Sequence, residues 1–171
     1  MMFELTPRRA LTALALIPLA LLSEALILQH VLSQAPCPLC ILDREAFLLF
    51  SLIAIAGAIH NPPRQVAARY AGAMGLAAAS GLGVASWHVW TLHHPKFGCG
   101  IDVMEQFVNN LPTAKLLPFI FHASGDCSAR HDPILGLLVP EWALVWFSLL
   151  CIGAAILAYK WLAAAPARAA A

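Results

Sequence analysis

Four apolar stretches, approximately Leu11 to Val31, Ile41 to Ile59, Tyr70 to Trp90 and Trp142 to Trp161, constrain this chain more than any other feature. Each is long enough to cross a hydrocarbon core, which takes about 20 helical residues. Backbone inside lipid has to satisfy its own polar groups, so such stretches fold as helices. The expectation is an all-α membrane protein, one domain over residues 1–171, built as a four-transmembrane-helix bundle. The composition agrees, since 61% of the 171 residues are hydrophobic and only 11% are charged, far from an ordinary soluble domain. A net charge of +1, without a basic block or a phosphate-cradling glycine motif, argues against a nucleic-acid partner. Arg8 and Arg9 precede the first stretch as they would in a cleaved signal peptide. That stretch exceeds the usual apolar region of about 7 to 15 residues, however, and is read as a retained helix.

The distribution of Lys and Arg orients the bundle. Arg8, Arg9, Arg64, Arg69, Lys160 and Arg168 fall at the two termini and in the short turn Asn61 to Arg69. Four spans place these segments on one side, which is expected to be cytoplasmic. The other side then carries a short loop around Ser33 to Cys40 and a long one from Thr91 to Glu141. In the long loop, Met104, Phe107, Val108 and Leu111 follow helical spacing between polar neighbours. This predicts a short amphipathic helix, lying on the membrane surface or packed on the bundle. Ala71, Gly75, Ala79 and Gly83 form a small-residue series that favours close helix packing inside the bundle over dimerisation. The Ala-rich tail 163–171 is expected to be disordered.

Cys37, Cys40, Cys99 and Cys127 all fall on the non-cytoplasmic side, where an oxidising periplasm permits disulfides. Cys151 lies about 13 Å down the last span, at about 1.5 Å per residue, and is expected to be an inert thiol. Four cysteines allow three pairings, of which local spacing favours Cys37–Cys40 and leaves Cys99–Cys127. A four-thiolate zinc site is disfavoured, because structural zinc usually takes two close pairs and Cys99 and Cys127 are 28 positions apart. Two structural staples are the plain alternative. A Cys-x-x-Cys ring, however, constrains little chain and has more value as an exchangeable couple.

Arg44 follows Cys40 by four residues and shares its helix face. A guanidinium and a helix amino terminus near Cys40 would stabilise a thiolate or an anionic ligand. The plain alternatives for Arg44 are snorkelling to the interface and pairing with Asp43 or Glu45. Glu24, deep in the first span, is expected to bond another helix or to be protonated. His30 and His88 fall at the depth of Cys40, where a histidine can bond a quinone carbonyl or accept its proton. Two such histidines on different helices could also hold a haem iron, making a haem-binding electron carrier with structural loop disulfides the rival reading. A non-enzymatic membrane scaffold is a third.

The motifs resemble the disulfide bond formation protein B (DsbB) family of quinone-linked inner-membrane oxidases. The likeness runs through Gln29-His30-Val31, Cys37-Pro38-Leu39-Cys40-Ile41-Leu42-Asp43-Arg44, the lone Cys99, Ala123-Ser124-Gly125-Asp126-Cys127, and Leu135-Gly136-Leu137 before Pro140 and Trp142. The resemblance implies a bacterial inner-membrane enzyme that reoxidises a periplasmic thioredoxin-fold, DsbA-like thiol oxidase. It implies electron delivery to ubiquinone or menaquinone, and so to the quinone pool and the respiratory chain. By the same resemblance Cys99 takes the partner's attack, Cys127 is released and attacks Cys37, and Cys40 faces the quinone beside Arg44. A functional histidine is implied nearby, with His88, His93 and His94 as the choices.

Overall fold

The computed structural model describes residues 6–94, 101–130 and 133–164; the side chains of Ile101 and Asp102 are not among the described features. All of its regular elements are helices: α1 (Pro7–His30), α2 (Pro38–His60), α3 (Arg64–His93), α4 (Ile101–Asn109), α5 (Pro112–Leu116), α6 (Pro118–Phe121) and α7 (Val139–Ala163). The expected spans each lie within one of the four long helices, except that α1 closes one residue before Val31. The tail beyond Ala164, expected to be disordered, lies outside the described residues.

Local chemistry sets the boundaries. Pro38 opens α2 in the first helical turn, where its missing N–H is harmless. Asn61 closes α2 in the left-handed conformation (φ 46°), a common C-terminal device, and Pro62 and Pro63 prevent continuation into α3. Glu141 starts α7 by accepting the Leu138 N–H at 2.7 Å.

The extensive helix contacts run α1 to α2, α2 to α3 and α3 to α7. Their shared core is built from alanines of every long helix together with Leu11, Phe47, Phe50, Met74, Phe147, Leu150 and Trp161. Phe47 stacks on Phe147 with centroids 4.0 Å apart, and a Cβ at Gly81 would collide with the Phe147 ring.

The expected small-residue face of α3 is corrected in part. Ala71 is buried, but Ala79 is exposed and Gly83 has open space around it. A strict four-residue step overshoots a 3.6-residue turn by about 40°, so the series drifts off the packed face. The buried line is Ala71, Met74, Ala78, Gly81, Ala85 and His88.

By length and apolarity alone, α1 and α7 qualify as membrane spans. Asp43, Arg44 and Glu45 occupy the second turn of α2, and α3 is rich in Ala, Gly and Ser, so neither is as apolar. The amphipathic helix exists as α4 and packs on α2. Val108 and Met104 face inward to Ile41, while Val103 and Phe107 remain exposed.

Candidate active site

Cys37 occupies the N-cap of α2 in extended conformation, and its Sγ accepts the Cys40 N–H at 3.2 Å. One helical turn brings the two sulfurs together, with Cys37 Sγ donating to Cys40 Sγ at 2.8 Å. Both are free thiols, as is Cys151, whereas Cys127 is disulfide-bonded. The two sulfurs of the expected Cys37–Cys40 couple thus stand in contact in this structure. Less than 1 Å of approach separates that contact from a disulfide of about 2.05 Å. Burial pushes the Cys37 thiol well above its ordinary range, and its hydrogen bond to Cys40 adds to the effect. The proton therefore stays on Cys37, and Cys40 receives the hydrogen bond.

The long loop is docked against this pair. The backbone N–H groups of Ser124 and Gly125 both donate to the Pro36 carbonyl at 3.0 Å. A Cβ at Gly125 would collide with the Ala35 carbonyl, so only glycine permits this approach. Asn109 clasps the preceding residue, donating to the Ala123 carbonyl at 3.0 Å and accepting its N–H at 2.8 Å. Cys127 consequently packs in one buried cluster with Cys37 and Leu39. Cys99 lies outside the described residues.

Arg44 is buried and makes neither of the expected acidic pairs. It donates to Gln29 Oε1 at 2.6 Å, to the Ile120 carbonyl at 2.7 Å and to the Ala25 carbonyl at 3.2 Å. One guanidinium thus ties α1, α2 and the long loop together, using the fan of donors that lysine lacks. Snorkelling is excluded by the same contacts.

A cavity of about 320 Å³ opens beside the thiols. Cys37, Cys40, Asp43, Arg44 and His88 form its polar corner, and Leu21, Leu22, Phe47, Trp142 and Trp146 form much of its apolar wall. Glu24 lines it too. Of the three candidate histidines His88 alone reaches it: His93 and His94 are exposed, with Nδ1 atoms 2.9 and 3.0 Å from the Val89 and Trp90 carbonyls. His88 Nε2 is 3.5 Å from Cys37 Sγ, and His88 Nδ1 is 3.9 Å from Asp43 Oδ2.

His30, expected at the same site, is placed elsewhere. Its ring stacks on Phe119 with centroids 3.9 Å apart, and Nε2 donates to the Phe119 carbonyl at 3.0 Å. It does not line the cavity that His88 lines. The two histidines therefore share no site for a haem iron.

The sequence profile of the family described as disulfide bond formation protein DsbB matches residues 7–157. This chain belongs to that family. It is 46% identical over 146 residues to disulfide bond formation protein B of Herminiimonas arsenicoxydans, covering 85% of this chain and 90% of the relative. Identity to disulfide bond formation protein B 1 of Pseudomonas fluorescens (strain Pf0-1) is 46% over 145 residues, or 85% of each chain. For the Burkholderia pseudomallei (strain K96243) protein it is 42% over 149 residues, 87% of this chain and 88% of the relative. Thiol oxidoreduction is the chemistry of the DsbB family and the membrane is its setting.

Sequence reasoning missed Asp43 as a site residue. The available signal is an acidic residue at the start of an apolar stretch, which local spacing pairs only with Arg44. Gly125 was also missed, although it sits two residues before Cys127.

Proposed function

We infer that this chain reoxidises a DsbA-like, thioredoxin-fold thiol oxidase at the periplasmic face of the bacterial inner membrane and delivers the electrons to a membrane quinone. The observation that carries this reading is a Cys37–Cys40 pair that borders an apolar cavity on one side and packs against Cys127 on the other. Four membrane spans fit the exposed apolar residues on the outer faces of all four long helices, among them Leu16, Leu52, Leu76 and Ile152. Both termini would then be cytoplasmic, with the cysteine loops periplasmic.

The cavity suits a quinone head. Its volume is at the lower end of ligand pockets, and mostly apolar walls with a few convergent polar groups are the usual pattern. When bound, the quinone supplies a two-electron, two-proton acceptor. Cys40 would face it as a thiolate, Arg44 would favour negative charge there, and Leu21, Leu22, Trp142 and Trp146 would hold the ring and exclude water. α1 and α7 both line the cavity without an extensive contact between them, which leaves a path for an isoprenoid tail into lipid.

The exchange steps balance. A partner thiolate attacks Cys99 of a Cys99–Cys127 disulfide, forming a mixed disulfide and releasing Cys127 as a thiolate. Cys127 attacks Cys37 of the Cys37–Cys40 disulfide, which breaks that bond and releases Cys40 as a thiolate. The partner's second thiolate then frees Cys99, and Cys99 attacks Cys127, restoring the loop disulfide and leaving Cys37 and Cys40 reduced. Docking through Pro36 keeps Cys127 within reach of Cys37, limiting the loop-closure entropy of the exchange.

The test is quinone reduction by purified protein and a reduced thioredoxin-fold partner, with ubiquinone and menaquinone compared. Turnover with at least one quinone is expected. A strong haem absorbance in the protein as purified, or no reduction of either quinone, would overturn the reading.

A further inference from the structure

We propose that His88, oriented by Asp43, takes the proton of Cys37 as the Cys37–Cys40 disulfide closes. His88 is then a catalytic base, and Asp43 a positioning residue. This proposal rests on the function proposed above.

Burying a carboxylate in an apolar wall is costly unless it is paired. Asp43 is 6% exposed, and its Oδ1 has no hydrogen-bond partner. Its neighbour in sequence cannot neutralise it, since Arg44 is spent on Gln29, Ala25 and Ile120. What remains is His88, whose Nδ1 lies 3.9 Å away and is itself buried without a hydrogen bond. That separation is an ion-pair distance and too long for a hydrogen bond, so the contact is poised to tighten when the ring becomes charged. On the far side of the same ring, Nε2 sits 3.5 Å from Cys37 Sγ. The two sulfurs and a ring nitrogen all lie within 4.8 Å of one another.

These positions line up carboxylate, imidazole and thiol in the order that makes a base. With its proton on Nδ1 toward Asp43, the ring presents the Nε2 lone pair to Cys37, and Asp43 stabilises the imidazolium that forms, as the carboxylate does in a Ser-His-Asp triad. The step breaks the Cys37 S–H bond and forms the S–S bond between Cys37 and the Cys40 thiolate. The proton goes to His88 Nε2, and the two electrons leave to the quinone, the oxidant. Cys37 needs such a base because it is buried and holds its proton firmly. The groups facing the ring are Cys37, Cys40 and Asp43 from the start of α2, with Arg44 beyond them, and the Cys127 backbone from the docked loop. Asp43 is the carboxylate placed at Nδ1, and the Cys127 backbone carbonyl is a second acceptor facing the ring.

Full-length D43N and D43E proteins test this through two readouts. The first uses protein stripped of quinone and carrying C40S and C151S, so that iodoacetamide reports on Cys37. The second is steady-state quinone reduction. An Asn amide can offer N–H to Nδ1 and select the wrong tautomer. D43N should therefore slow Cys37 alkylation at neutral pH, and lower kcat, by about tenfold or more. D43E should restore most of both. Exchange of the loop disulfide with reduced partner should stay at the unmodified rate, which reports that the fold is intact; if D43N fails that check, H88Q replaces it with the same expectation. Unaltered alkylation and kcat in D43N, or a change confined to KM, would overturn the proposal. If the unmodified protein reduces no quinone, the proposed function fails, and the alkylation readout still decides the Asp43–His88 pairing.

Discussion

The two ends of α2 are held in place by different physics. From Phe50 to Ala58 the helix buries Phe50, Ala54 and Ala58 against its neighbours, and its partners are interchangeable in chemistry if not in shape. From Cys37 to Arg44 it buries a thiol, a carboxylate and a guanidinium and half-buries Cys40, and Cys37, Asp43 and Arg44 each meet a specific atom on another segment. One end is tuned by volume and the other by hydrogen bonds. Substitutions at the first should change stability and leave the chemistry alone, while substitutions at the second should do the reverse or both.

Replacing Cys40 by Ser attacks the polar end most severely. Quinone reduction by reduced partner should fall to background, and turnover at the unmodified rate would remove Cys40 from the proposed electron path. G125A comes next, because its methyl group meets the Ala35 carbonyl and lifts the loop from Pro36. Transfer from Cys127 to Cys37 should slow about tenfold, as about 1.4 kcal/mol of lost positioning would dictate. Trapping the inter-loop disulfide on a non-reducing gel as a function of time measures this.

R44A blurs the division between the two ends. It removes charge beside Cys40 and also strands the half-buried Gln29, Ala25 and Ile120 oxygens, so quinone KM should rise while stability falls by about 1–2 kcal/mol. R44K should keep part of the KM and less of the stability, since lysine lacks the fork. A change in KM alone would mean that the three hydrogen bonds contribute little.

G81A probes the apolar end alone. Its Cβ overlaps the Phe147 ring, so a loss of about 1–3 kcal/mol from overpacking is expected with quinone KM unchanged. H30A should have the smallest effect, within about 0.5 kcal/mol of the unmodified protein and without change in KM, because His30 touches Phe119 and not the cavity.

The apolar end was legible in the sequence because periodicity and length report burial directly. The spans came out as helices, and the Cys37-x-x-Cys40 couple with Arg44 one turn on came out at one site. The polar end was legible only in its local part. Cys40 and Arg44 share a helix, so their spacing places them together. The contacts of Arg44 with Ile120, of His88 with Asp43 and of Gly125 with Ala35 bridge segments far apart in the chain, where no repeat or spacing rule applies. His30 shows the converse error. Equal depth in two helices does not make two side chains neighbours, because depth says nothing about the direction a side chain faces.

Purified protein, reduced thioredoxin-fold partner and quinone in a single-turnover assay test the central claim most directly. One quinone reduced per partner disulfide formed, dependent on Cys40, is the predicted result. Partner oxidation without quinone reduction, or quinone reduction that persists in C40S, would contradict it.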